Sequence, residues 1–145
     1  MNLSPSNGDD LQRQRRRDRG PVAALLGHRL LAVDRAAATV EVEFRAEPHL
    51  FNPMNVMQGG FTVAMLEQAL LDAVAALADR PHEAATLEMQ CNFLAAIGPG
   101  PLRCRAGLVR QGRSTAFVEA RLFAGDGELA ATATSVVALT AAAGD

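Results

Sequence analysis

The chain has 145 residues and a mass of 15.3 kDa, enough for one ordinary domain, whereas two independent cores of half that length would each be marginal. Hydrophobic residues make up 49% and charged residues 21%, which excludes a mostly disordered chain. A formal net charge of −2, with no Trp, no Tyr and six Phe, gives neither a field nor a stacking surface for nucleic acid.

Cys91 and Cys104 cannot make a disulfide scaffold and match no metal-ligand spacing, so they read as small hydrophobes in a reducing cytoplasm. No metal or redox cofactor is implied. No apolar run approaches the roughly 20 residues of a bilayer crossing, and Met1-Asn2-Leu3-Ser4-Pro5 lacks the apolar core of a signal peptide. The expectation is a cytoplasmic protein without a membrane partner.

Residues 1–20 stand apart: Ser4 to Asp10 is polar and turn-forming, and Arg13 to Arg19 adds five arginines diluted by Asp18. That composition predicts a basic arm outside the core. The single domain is expected over residues 21–140, opening with a short helix or turn that ends at Gly27. Arg29–Val33 and Thr39–Arg45 then read as a hairpin, because Val40, Val42 and Phe44 alternate with Glu41 and Glu43. A Pro- and Asn-rich loop runs from Glu47 to Gly59.

The spacing predicts one long helix from about Gly60 to Ala78, stopping before Asp79-Arg80-Pro81. Four strands follow at Thr86–Leu94, Leu102–Arg110, Thr115–Ala124 and Glu128–Leu139, separated by Gly-rich turns, and residues 141–145 are expected to fray. In the first of these, Leu87, Met89, Cys91 and Phe93 alternate with Thr86, Glu88, Gln90 and Asn92. The short connections make the four antiparallel neighbours. One helix cannot cover both faces of such a sheet, so it is expected in the concave face of a curled sheet, with a second copy covering what remains.

At about 100° per residue, Gln68, Asp72 and Asp79 form a polar face, while Val63, Leu66, Leu70, Val74 and Leu77 form a buried stripe. Glu67 falls only about 60° from the centre of that stripe. A carboxylate there is not expected to be fully solvated: it serves a function, or it is a helix-flank Glu that snorkels out or pairs with an arginine such as Arg80 or Arg110. Just upstream, Asn52-Pro53-Met54-Asn55-Val56-Met57-Gln58-Gly59-Gly60 places two glycines at a helix N-terminus. Free amide N–H groups there meet whatever approaches, unless the pair serves only a tight turn.

The pattern Asn52-x5-Gln58-Gly59-Gly60-x6-Glu67, preceded by two strands and followed by four, resembles the hotdog-fold acyl-CoA thioesterases, in particular the phenylacetic-acid-degradation (PaaI-type) branch. The resemblance spans about residues 28–139. It implies an α+β fold in which a curled antiparallel sheet of five to six strands wraps one central helix. It implies that Glu67 is the catalytic nucleophile or general base, that the Gly59 amide polarises the thioester carbonyl, and that Gln58 is a side-chain donor nearby. By the same resemblance Asn52 orients the lytic water, and Thr86 supplies a hydroxyl beside the carboxylate. Gly60 would be a substrate-binding residue, and the turn of Arg110, Gln111, Gly112, Arg113 and Ser114 would line the coenzyme A portion of an acyl-CoA substrate. Many members have His at Gln58 and Gly at Asn55. A Gln amide still donates but cannot shuttle a proton, and Asn tolerates a positive φ.

Gly59 and Glu67 lie eight residues apart, about 12 Å along one helix at 1.5 Å per residue. One carbonyl group cannot touch both. Two helices laid antiparallel across a two-fold axis solve this, which predicts a homodimer with composite sites; tetramers are common by resemblance. Leu50, Phe51, Met54, Met57, Phe61 and Met65 fit either an acyl pocket or ordinary core. Two other readings remain: a non-catalytic acyl-CoA binder, kept open by Gln58, and a hotdog dehydratase using His49, whose expected sequence context is absent.

Overall fold

The structure, a computed structural model, describes residues 20–79 and 82–141; the basic arm and the last four residues of the tail lie outside them. A short helix, α1 (Pro21–Leu25), leads into β1 (Arg29–Asp34) and β2 (Thr39–Ala46). After a 3-10 turn at Pro48–Leu50 comes the central helix α2 (Gly59–Leu77), then β3 (His82–Phe93), β4 (Gly100–Gln111), β5 (Thr115–Phe123) and β6 (Leu129–Ala141). All pairings are antiparallel, and the six strands lie in the order β1-β2-β4-β5-β6-β3.

That order corrects one expectation. β3 does not neighbour β4; it pairs with β6 at the sheet edge. The short segment after Phe93 is therefore a crossover rather than a hairpin. It is fastened where it leaves the strand, by Leu94 and Ala95 N–H donating to the Ala130 carbonyl, and beside the helix entry, by Met57 N–H donating to Ile97 at 2.9 Å.

The core forms where the inward positions of the strands meet α2. Val40, Val42 and Phe44 of β2, Leu102 and Cys104 of β4, Val118 and Leu122 of β5, and Leu66, Leu70 and Val74 of α2 are all buried. At 19 residues and mean hydropathy 1.4, α2 is also long and apolar enough to cross a bilayer, contrary to the sequence expectation. Here it is the core helix, held by β2, β3, β4, β5 and β6. The outer face of the β1-β2-β4 half carries exposed ion pairs, Arg29 and Arg103 with Glu43 and Arg105 with Glu41, each worth little in water.

The buried arc of α2 is wider than expected and is centred elsewhere. It includes Thr62, Met65, Ala69, Asp72, Ala73 and Ala76, which moves its centre about 60° away from Glu67. Asp72, expected on a solvated face, is 5% exposed. The strands curl far enough round the helix to cover it, and the fully buried His28 ring reaches it with Nε2 at 2.5 Å from Oδ2. His28 also packs against Phe44, ring centroids 5.5 Å apart. The pair joins the chain just before β1 to the second half of α2, and nothing in the sequence pattern marked it.

Candidate active site

The loop before α2 is organised by Asn52. Its Oδ1 accepts from the N–H groups of Met54 at 3.0 Å and Val56 at 3.3 Å, while its own N–H donates to the Val56 carbonyl. Asn55 takes φ +61°, the left-handed conformation that Asn accepts better than most side chains. A bridge between Phe51 and Met57 and a bond from Gln58 N–H to the Leu50 carbonyl fix where the helix begins.

At that entry Gln58 is exposed and makes no side-chain cap. Among the described residues the N–H groups of Gly59 and Gly60 have no acceptor within the chain. Neither glycine has a positive φ, so the turn itself does not require glycine there. A Cβ on Gly60 would meet nothing, and one on Gly59 would stand 3.4 Å from Cε1 of Phe93. Small residues at this point keep open an approach to two unsatisfied donors, which carry the positive end of the helix dipole.

Eight residues on, along an unbroken helix, Glu67 is half-buried and makes no hydrogen bond or ion pair among the described residues. It lies on the arc turned away from its own sheet, with Val63, Ala64, Leu71 and the exposed Gly60 and Ala75. That arc is mostly small and apolar, a surface suited to another helix. A half-buried carboxylate without a partner, on a face with so little else that is polar, is the kind of group found at functional sites.

Thr86 reaches the inner face through a β-bulge. Thr86 stands opposite Val137 and Glu88 opposite Val136, leaving Leu87 as the extra residue. Val137 is buried facing the core, so Thr86 shares the inner side with Met89, Cys91 and Phe93 rather than the outer side with Glu88 and Gln90. Uninterrupted alternation placed it on the wrong face.

The β4–β5 turn lies at the other end of α2, because Gln111 Oε1 accepts from Asp79 N–H at 3.1 Å. Gly112, Arg113 and Ser114 are exposed there. A second bulge, at Val109, puts Arg110 opposite Phe117 on the outer face. Of the acyl-pocket candidates, Leu50 and Met65 belong to the core, Phe51 and Phe61 pack against it, and Met54 is exposed. Met57 does line a cavity of about 400 Å³, together with Gly59, Thr62, Phe93, Leu94 and the crossover residues up to Ile97. His49 is exposed. Among the described residues no cluster of three or more His, Cys, Asp or Glu could hold a metal ion.

The family model described as the thioesterase superfamily matches residues 54–131, more than half the chain and the whole stretch from the helix entry to β6. The chain belongs to the thioesterase superfamily. It is thereby a hotdog-fold enzyme of the thioester hydrolase class. It is similar to a phenylacetic acid degradation-related protein of Ralstonia eutropha JMP134, with 34% identity over 88% of this chain and 98% of that one and a TM-score of 0.79. Two further structures share the hotdog fold at lower identity. A thioesterase from Haemophilus influenzae has 17% identity over 90% of each chain, with a TM-score of 0.80. The PaaI protein of the Escherichia coli phenylacetic acid degradation operon has 14% identity over 92% of this chain and 95% of its own, also with a TM-score of 0.80. Comparison with curated protein sequences gives no match.

Two features of this thioesterase escaped sequence reasoning: Phe93 as the neighbour of Gly59, and the crossover wall of the cavity. Both depend on β3 lying at the far edge of the sheet.

Proposed function

We propose that this thioesterase hydrolyses an acyl-CoA to the free acid and CoA in a site shared between two protomers. The observation that carries the proposal is the isolation of Glu67: a half-buried carboxylate without a partner among the described residues, turned from its own sheet and about 12 Å along the helix from the open amides of Gly59 and Gly60. Antiparallel pairing of two α2 helices through their apolar arcs brings Glu67 of each to the helix entry of the other. The β3 edge, with half-buried Met89 and Cys91 and exposed Leu87 and Phe93, would pair with its mate in the same dimer and leave no long strand edge open.

In that site the Gly59 N–H, with Gln58 beside it, polarises the thioester carbonyl and stabilises the oxyanion. Glu67 acts on the carbonyl carbon directly or through a water, and Thr86, on the inner face of β3, would supply a hydroxyl to the site. Asn52 is a positioning residue, since its carbonyl oxygen already holds the loop. The β4–β5 turn of the protomer that gives Glu67 lies about 15 Å further along the same helix. That leaves room for an extended pantetheine arm reaching Gly112, Arg113 and Ser114. Arg110, on the outer face, would meet only the nucleotide end.

The test is thiol release from a panel of acyl-CoAs by the wild type and Glu67→Gln. A loss in kcat of roughly a hundred- to ten-thousand-fold is expected, the size of a general-base contribution, with dimer and CoA affinity retained. Unchanged turnover in the variant would remove Glu67 from the reaction. Tight binding of every acyl-CoA with no thiol released by the wild type would favour a non-catalytic binder.

A further inference from the structure

The cavity beside the helix entry belongs to one protomer, and the residue on its wall nearest the expected chemistry is Gly59. A carbonyl oxygen held by the Gly59 amide has two directions in which its substituents can leave. One leads across α2 to the partner's carboxylate and CoA turn. The other leads between Phe93 and the crossover, into about 400 Å³ bounded by Met57, Leu94, Ala96 and Ile97. Among the described residues no charged side chain lines that space. Its volume lies near the small end of ligand pockets, which run from roughly 300 to 1,000 Å³.

Resting on the thioesterase reading above, we propose that the acyl arm occupies this cavity in the protomer that supplies the Gly59 amide. Phe93 and Ala96 then set the length and polarity of the arm. The substrate class that fits is an uncharged, apolar acyl group of moderate length. An arm ending in a carboxylate would meet no charged side chain there to pair it and is rejected. Phe93 stands beside Gly59, its ring edge 3.4 Å from where a Cβ on that glycine would lie, so it limits the width of the entrance. Ala96 is exposed at the rim, so a larger side chain there can narrow the cavity without entering the core.

The test uses S-alkyl-CoA thioethers, which bind but cannot be hydrolysed, in a series from ethyl to decyl titrated into wild type, Ala96→Phe and Phe93→Ala. In wild type each added methylene tightens Kd by about fourfold until the cavity is full. In Ala96→Phe the ratio of ethyl to decyl Kd falls by at least about tenfold, and in Phe93→Ala the plateau moves to longer chains. Equal ratios in all three proteins, or affinity independent of chain length, overturn the assignment. Hydrolysis of acyl-CoAs by the same preparations separates the two readings. Turnover with equal ratios defeats the pocket assignment alone, whereas a chain-length slope without turnover supports the pocket and defeats hydrolysis alone.

Discussion

The ring of Phe93, at the end of the edge strand, lies against the first residue of the central helix, its Cε1 3.4 Å from where a Gly59 side chain would begin. Strand end and helix entry are thereby one local structure. This contact exists because β3 runs at the sheet edge beside β6 instead of beside β4.

Replacing Gly59 by proline isolates the donor from the fold. Proline suits the first position of a helix, the Gly59 N–H has no acceptor among the described residues, and Gln58 at φ −61°, ψ 131° already has the extended backbone that proline asks of its predecessor. Gly59→Pro should therefore keep its far-ultraviolet circular dichroism and its dimer while losing roughly a hundred- to thousand-fold in kcat, the value of one oxyanion donor. A variant with normal turnover would show that this amide does not hold the carbonyl.

The His28–Asp72 pair makes a prediction about stability alone. Truncating Asp72 to alanine removes the carboxylate that the buried His28 Nε2 meets and leaves a space in the core. Urea unfolding of Asp72→Ala should lose roughly 2–5 kcal/mol. Asp72→Asn, which can still bond the ring, should lose less. Because Asp72 faces the sheet and Glu67 faces away from it, kcat per folded dimer should be unchanged in both.

Cys104 supplies a pH dependence. Burial, with Glu41 and Asp72 nearby, pushes its thiol well above the ordinary value of 9.0. The folded state therefore holds a proton that the unfolded chain releases as pH rises past about 9. Stability is full below that pH and falls above it, by at most about 1.4 kcal/mol per pH unit. Thermal melts from pH 8 upward should show an alkaline decline that is shallower in Cys104→Ala, after allowing for the constant cost of the smaller side chain.

The helix and the strands were legible because their hydrophobic periods are long and their breakers, Gly98-Pro99-Gly100-Pro101 and Gly125-Asp126-Gly127, are unambiguous. The place of β3 in the sheet was not, since a short connection reads as a hairpin and only the contacts of Leu94, Ala95 and Ile97 reveal a crossover. Alternation also fails at a bulge, which is why Thr86 and Arg110 changed faces. On α2, angle alone could not show how far the sheet curls, so Asp72 seemed solvated and Glu67 nearer the core than it is. The motif from Asn52 to Glu67 was located by its resemblance to the hotdog thioesterase pattern; on their own the paired glycines left a plain tight turn open, and the helix-flank acid left an arginine partner open.

Complementation between two inactive variants tests the shared site most directly. Glu67→Gln keeps the helix-entry amide and lacks the carboxylate; Gly59→Pro keeps the carboxylate and lacks the amide. In a heterodimer of the two, one composite site joins the intact amide of the first chain to the intact carboxylate of the second, and the other site carries both defects. Unfolding and refolding an equimolar mixture, with free exchange, makes about half the dimers mixed, each with one working site of two. Activity should return to roughly one quarter of wild type. If both groups acted within one chain, every site in the mixture would lack one of them, and the refolded sample would stay as inactive as its components.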